Sequence, residues 1–297
     1  MPKTDHPLLP VLAAFTAIGL LSWMDAWMKS AALAVGAYSA LLLRAPIGFA
    51  IAAPLWRATG GRWPARATLR IHLVRGVVVA AMAFLFFFSL TLLPLAQAIA
   101  ISFIAPLIAL FLASVLLGEQ VGRRAVVGAL LGLAGVAVIL AGKLWREPLS
   151  AGAPLGIAAV LASAVFYAWN LVLTRQQALV ARPLEVATFQ NGVTFLVLIG
   201  FAPFFLQVPE RGEWTDIAVS AGLSVAGAML FTWAYARAET QRLAPMEYTG
   251  FLWAALFGWL FFAEKVPPAT IGGALLIVAG CWIATRGKPP EPENALA

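Results

Sequence analysis

Arg44 lies within "SALLLRAPIGFAIAAPLW", residues 39–56, a run that is otherwise apolar. An arginine near the middle of a bilayer helix costs roughly 2.5–3.5 kcal/mol on insertion scales, so the folded protein must recover that energy. Ala40, Gly48 and Ala52 share its helical face, and a stripe of small residues marks a side that meets protein rather than lipid. Two readings stand for Arg44. It is a structural cation bonded to backbone carbonyls or a carboxylate, or it holds an anionic or carbonyl group of a solute.

The other embedded ionisable groups pose the same choice. Asp25 and Lys29 are one turn apart in the acid-first order that favours pairing, with Trp23 and Trp27 roughly opposite. The pair is expected to face inward, as a structural pair near the outer surface or as part of a solute site or outer gate. Arg75, three residues after His72, lies near the cytoplasmic end of its run, where snorkelling and a topogenic role are easy. Glu247 shares a face with Gly250, Phe251, Ala254 and Gly258. A carboxylate there can exchange protons during a transport cycle, or it is an interfacial acid neutralised by Arg75 or Arg242.

Gln97, Asn170, Gln190, Asn191 and Tyr248 either bond helix to helix or contact a polar solute. Trp169 and Trp253 either pack and face lipid or offer flat surfaces to a ring-bearing or cationic solute. The candidate binding set is Asp25, Arg44, Trp169, Asn170, Gln190, Tyr248 and Trp253, with Glu247 and Arg75 as candidates for coupling. Glu119 and Glu264 end their runs and are expected to bond backbone or nearby Arg and Lys. Enzyme chemistry finds little support, because Asp25, Glu247 and His72 are scattered in depth and Asp5, Asp25 and Asp216 are the only aspartates. No metal site or cofactor is expected, and nothing resembles the phosphate loop GxxxxGK[ST].

The elements that position these residues follow from composition. Hydrophobic residues make up 62% of the 297, and charged residues 11%, against roughly 25% in soluble domains. Apolar runs of helix-spanning length occur at 8–28, 35–56, 71–93, 95–117, 124–142, 154–174, 184–206, 217–236, 243–262 and 268–285. They are continuous and rich in Leu and Ala, without the alternation of a barrel strand. The reading is an all-α integral membrane protein of ten spans. "SAALA" at 30–34 resembles a signal-peptide cleavage region, but the first run is long and belongs to a repeat described below. Cys281 is the single cysteine, so no intrachain disulfide forms.

The net charge of +7 encodes orientation rather than nucleic-acid binding. With the N-terminus inside, thirteen Lys and Arg fall on the cytoplasmic side, from Lys3, Arg57 and Arg62 to Arg286 and Lys288. Only Lys29, Lys143, Arg146, Arg211 and Lys265 fall outside, which predicts both termini in the cytoplasm. The lipid bilayer is the expected surrounding, in the inner (plasma) membrane, with the chain a monomer or homodimer.

An offset of 145 superimposes Glu119 on Glu264, Gly128 on Gly273, Gly135 on Gly280, Gly142 on Gly287 and Lys143 on Lys288. Nearer the front, an offset of 146 pairs Trp23 with Trp169, Lys29 with Arg175 and Arg44 with Gln190. The chain is therefore read as two copies of a five-span unit, 1–146 and 147–288, followed by a tail at 289–297. An odd number of spans inserts the second copy upside down, and such inverted repeats supply inward-open and outward-open states around a midplane site. Gly128 and Gly132 form a GxxxG assigned to helix packing.

"WMDAWMK" (23–29), "LLLRAP" (41–46), "LVRG" (73–76), "SFIAPLIALFLASVLLGE" (102–119) and "APMEYTGFLWAALFGWLFFAE" (244–264) resemble the drug/metabolite transporter superfamily. The resemblance covers nearly the whole chain and is to the EamA-type ten-span carriers, most of all the branch with S-adenosylmethionine and riboflavin transporters. It implies a transporter of a small organic solute; with the inverted repeat this reads as a secondary transporter working by alternating access, driven by an ion gradient such as protons, by solute exchange or by the solute's own gradient. A channel or non-transporting sensor is the alternative, and a membrane-embedded enzyme comes last. One departure is that Pro106 corresponds to Phe251, so the proline of the fourth span has no partner in the ninth.

Overall fold

The computed structural model describes residues 8–105, 108, 123–146, 152–237 and 249–285, and no strand occurs among them. The helices are α1 (Leu9–Ala58), α2 (Arg66–Leu90), α3 (Leu95–Ser102), α4 (Arg123–Arg146), α5 (Ala153–Val180), α6 (Pro183–Ile199), the single turn α7 (Ala202–Phe205), α8 (Arg211–Tyr235), α9 (Thr249–Phe262) and α10 (Pro268–Thr285). Four helices, Leu9–Ala58, Arg66–Leu90, Ala153–Thr174 and Arg211–Ala234, are long and apolar enough to cross a membrane. Leu130, Leu196, Leu252, Trp259 and Leu275 point outward and are well exposed, an apolar exterior that suits lipid.

α1 combines two of the expected runs. Gly36, at φ 79° and ψ 150°, interrupts it with a backbone conformation essentially reserved for glycine. An Arg44 N–H reaches Met24 Sδ at 3.0 Å, so the arms 9–35 and 37–58 fold back antiparallel. The expected connection at 29–34 is instead helical, because Ala31, Ala32 and Val35 continue a buried face up to the reversal.

α4 and α10 pack through glycine. Gly128, Gly132, Gly135 and Ile139 are buried on α4, and Gly273, Ala274, Ile277 and Gly280 on α10. A Cβ on Gly280 would lie 2.5 Å from the Gly128 carbonyl oxygen, and one on Gly135 would lie 2.5 Å from that of Gly273. Contact positions rise along one helix as they fall along the other, so the pair is antiparallel. The repeat offset also exchanges the two contacts: Gly128 maps to Gly273 and Gly135 to Gly280. The GxxxG therefore brings two backbones together, as small residues allow.

The remaining packing alternates between the two parts of the chain. α1 lies along α8, where Ser30 Oγ donates to Asp216 Oδ2 at 2.5 Å, while α5 lies along α2. α6 sits against α1 and α2. Gly48 faces Asn191 and Gly76 faces Val193, and in each case a Cβ on the glycine would be under 3 Å from its neighbour. Ala40, Gly48 and Ala52 are buried, so the small-residue face of Arg44 does meet protein. The Gly250, Ala254, Gly258 stripe of α9 is buried as well.

Candidate functional site

A cavity of about 310 Å³ lies between the helices. α1 contributes Met24, Asp25 and Arg44, and α2 contributes Arg75, Phe86 and Phe87. From the second part of the chain come Ser163, Tyr167 and Asn170 on α5, Gln190 on α6, and Ser224 and Thr232 on α8. Five of the residues singled out from sequence, Asp25, Arg44, Arg75, Asn170 and Gln190, thus share one wall-lined space.

Arg44 is 7% exposed. One N–H reaches the Met24 sulfur, its guanidinium stands 5.4 Å from the Phe87 ring centroid, and its Nε is buried without a partner. Among the described residues, neither a backbone carbonyl nor a carboxylate bonds it. Asp25 lines the same cavity. Yet the ion pairs within 4 Å among the described residues are Lys29 with Glu264 and His72 with Glu185.

The expected Asp25–Lys29 pair does not form. Lys29 is buried and bonds the Glu264 carboxylate and the Leu93 carbonyl, the latter at 3.0 Å, while the Leu95 N–H donates to Glu264 Oε2 at 2.8 Å. Ala263, at φ 51°, turns the chain so that Glu264 folds back over Gly258, where a Cβ would stand 2.7 Å from the carboxylate. The helical spacing permitted Asp25 and Lys29 to meet, but tertiary packing supplied Lys29 with an acid from another helix. Glu264 does bond backbone and lysine as its position suggested. Trp23 and Trp27 meet α9, with Trp23 stacked 6.1 Å from Phe257 and Trp27 edge-on 5.4 Å from Phe261.

Arg75 is buried rather than snorkelling. Its Nε donates to Asn170 Oδ1 at 2.9 Å and its Nη1 to Gln177 Oε1. Gln177 also bonds His72 Nδ1, and His72 Nε2 lies 3.0 Å from Glu185 Oε1. Phe189 stacks on the imidazole at 4.6 Å. The result is a polar chain from Glu185 to the cavity wall, and sequence reading missed two of its members, Gln177 and Glu185. Its signal was present: Asn170, Thr174 and Gln177 form one stripe at helical spacing in an apolar helix, and His72 and Arg75 form another.

Other candidates lie elsewhere. Trp169 is 41% exposed and does not line the cavity, because its ring projects to the outside of α5. Trp253 packs over Gly19 and stacks with Phe257, which makes it a helix contact rather than part of the cavity wall. Asn191 donates to the Ala187 carbonyl at 2.9 Å and supports the α1 contact. Gln97 is buried in α3. Glu247, Tyr248, Glu119 and Pro106 lie outside the described residues. No group of three or more His, Cys, Asp or Glu suited to a metal occurs among the described residues.

An apolar helical bundle with charged and amide side chains converging on an internal cavity is the architecture of a helical membrane protein with a polar interior. The chain belongs to the EamA-like transporter family, whose model matches it twice, over residues 8–141 and 154–286. It is 30% identical over 283 residues to the pseudopaline exporter CntI of Pseudomonas aeruginosa, covering 95% of this chain and 96% of the relative. It is also 30% identical to the aromatic amino acid exporter YddG of Ancylobacter novellus (92% and 96% covered) and 24% identical to a riboflavin transporter of Brucella anthropi (81% and 84%). A crystal structure superimposes with a TM-score of 0.66 at 24% identity, covering 93% of this chain and 98% of that one, which shows a shared fold.

Proposed function

We propose that the protein is a secondary transporter that moves a small organic metabolite across the inner membrane by alternating access. The observation that carries this reading is the cavity, whose polar wall is drawn from both copies of the repeat: Asp25, Arg44 and Arg75 from one, Asn170 and Gln190 from the other. The ten spans form two units, 1–146 and 147–288, inserted in opposite senses with both termini cytoplasmic. The exchange of glycine contacts between α4 and α10 supports that inversion, since parallel copies would not give an antiparallel pair related by the repeat. Relatives named as exporters favour outward movement.

Asp25, Arg44, Asn170 and Gln190 contact solute, with Tyr248 at the start of the ninth span. Arg75 positions Asn170, and Glu247 is the candidate for proton coupling. The test is transport in proteoliposomes with amino-acid, carboxylate, nucleoside-like and flavin-like solutes, with and without a pH gradient. A carrier gives saturable uptake and counterflow, whereas a channel gives neither. Glu247→Gln is expected to abolish gradient-driven accumulation and spare exchange; unchanged accumulation rejects the coupling role. In a Cys281→Ala background, single cysteines at the exposed Arg62 and Val208, equivalent positions of the two units by the offset of 146, should be labelled from opposite sides of the membrane. Labelling of both from one side would mean parallel copies.

A further inference from the structure

The polar chain that ends at Arg75 has its donors and acceptors fixed by chemistry. An arginine only donates, so the Gln177 oxygen must face Arg75 Nη1, which leaves the Gln177 NH2 to face His72 Nδ1. Nδ1 is therefore the bare, accepting nitrogen. The proton of the neutral ring sits on Nε2 and is donated to Glu185 Oε1 at 3.0 Å. Phe189 stacks on the imidazole with an interplanar angle of 10°, and the His72 side chain is fully buried, so the ring is held in this orientation. The softest joint is the terminal torsion of Gln177, whose amide can turn by half a revolution.

We propose that His72 is a proton-binding site and that Gln177 relays its state to Arg75 in the cavity wall. A proton taken from solvent forms one N–H bond at Nδ1 and turns that acceptor into a donor; nothing is oxidised or reduced. Nδ1–H then opposes the Gln177 NH2 until the amide reverses and presents its oxygen to the ring. The reversal points the NH2 at Arg75, so Arg75 loses the Gln177 oxygen and keeps that of Asn170. Arg75 lines the cavity, and its freed N–H is open to an acceptor there. A proton at His72 and an accepting group at Arg75 thus strengthen each other's binding through one two-position amide. The imidazolium has its counter-charge in place, because Glu185 stands in the first turn of α6, 13% exposed, while Arg75 opposes the added charge from the same helix. α5 presents the neutral Gln177 amide, α1 packs Trp56 on Phe189 with Arg57 turned to the Gly61 carbonyl, and Arg70 and Arg182 are exposed. The site is separate from the Glu247 candidate. As a coupling device it rests on the carrier reading above, whereas the linkage from His72 to Arg75 does not.

The test is nitrogen NMR on the full chain in liposomes, isotopically labelled at histidine and arginine, with no solute added. The chain has two histidines, so His6→Gln leaves His72 alone, and an Arg75→Lys sample identifies the Arg75 guanidinium by its loss. At about pH 8 His72 should show a protonated Nε2 and a bare Nδ1. On acidification to about pH 4, a range that spans ordinary imidazole and carboxylate titrations, Nδ1 should gain a proton and the Arg75 signal should move with the same midpoint. In Gln177→Leu the histidine should still titrate while Arg75 no longer follows. Gln177→Glu keeps the shape and accepts from both neighbours, so both ring nitrogens should already carry protons at about pH 8 and Arg75 should stay unmoved. Should Gln177→Leu fail to fold, the wild type and Gln177→Glu decide. A proton on Nδ1 rather than Nε2 at about pH 8, a ring that stays neutral while Glu185 takes the proton, or an Arg75 signal indifferent to the titration of His72 overturns the proposal. Absence of counterflow in proteoliposomes would remove the carrier and leave this linkage; an uncoupled titration would remove the linkage and leave the carrier.

Discussion

Replacing Glu264 by Gln should destabilise the protein far more than its small change in shape suggests. Lys29 is 5% exposed, and its ammonium has the Glu264 carboxylate and the Leu93 carbonyl as partners. The same carboxylate accepts the N–H of Leu95, itself fully buried. A glutamine keeps one acceptor oxygen for these two donors and carries no charge. Breaking a buried ion pair from one side costs about 3–5 kcal/mol, because the remaining charge is left uncompensated. Lys29→Met is milder, about 1–3 kcal/mol, since Glu264 keeps the Leu95 N–H and is 15% exposed. The double variant Lys29→Met/Glu264→Gln removes both charges and should be more stable than Glu264→Gln alone. Unfolding in mixed detergent and SDS micelles, followed by tryptophan fluorescence, measures all three. Strictly additive losses would refute the reasoning, because they would mean that the ammonium and carboxylate do not depend on each other.

Two further outcomes follow from local geometry. Gly36→Val should cost about 1–3 kcal/mol, because φ 79° with ψ 150° is essentially closed to other residues even though nothing lies within 4 Å of a Cβ there. Gly200→Val, with ordinary φ and equally open space, is the control and should be near neutral in the same titration. Gln177→Leu should destabilise more than Asn170→Leu, by about 1–3 kcal/mol, because Gln177 serves both Arg75 and His72 while Asn170 serves Arg75. Equal losses would show that the histidine does not depend on the amide.

Much of the bundle is legible in the linear chain because apolar length, helical spacing and a repeated glycine pattern are local properties. Every run singled out contains at least a stretch of the helix seen in the structure, and the buried stripes around Arg44, Gly128 and Gly250 fall where small residues recur at helical intervals. The convergence of Asp25, Arg44, Arg75, Asn170 and Gln190 was suggested by their cost in an apolar setting, which holds wherever such residues occur.

Partner choice was not legible, since it depends on groups distant in the chain. Lys29 turned from Asp25, four residues away, to Glu264, because the turn after α9 brings that acid and the Leu95 N–H to one point. Arg75 was drawn inward by amides on α5, and Trp169 was left outside because its face of α5 points away from the cavity. Composition and periodicity state which residues cannot rest in lipid unaided. Only the packing of helices decides which of them answer one another and which, like Arg44, are left facing a cavity with a weak partner.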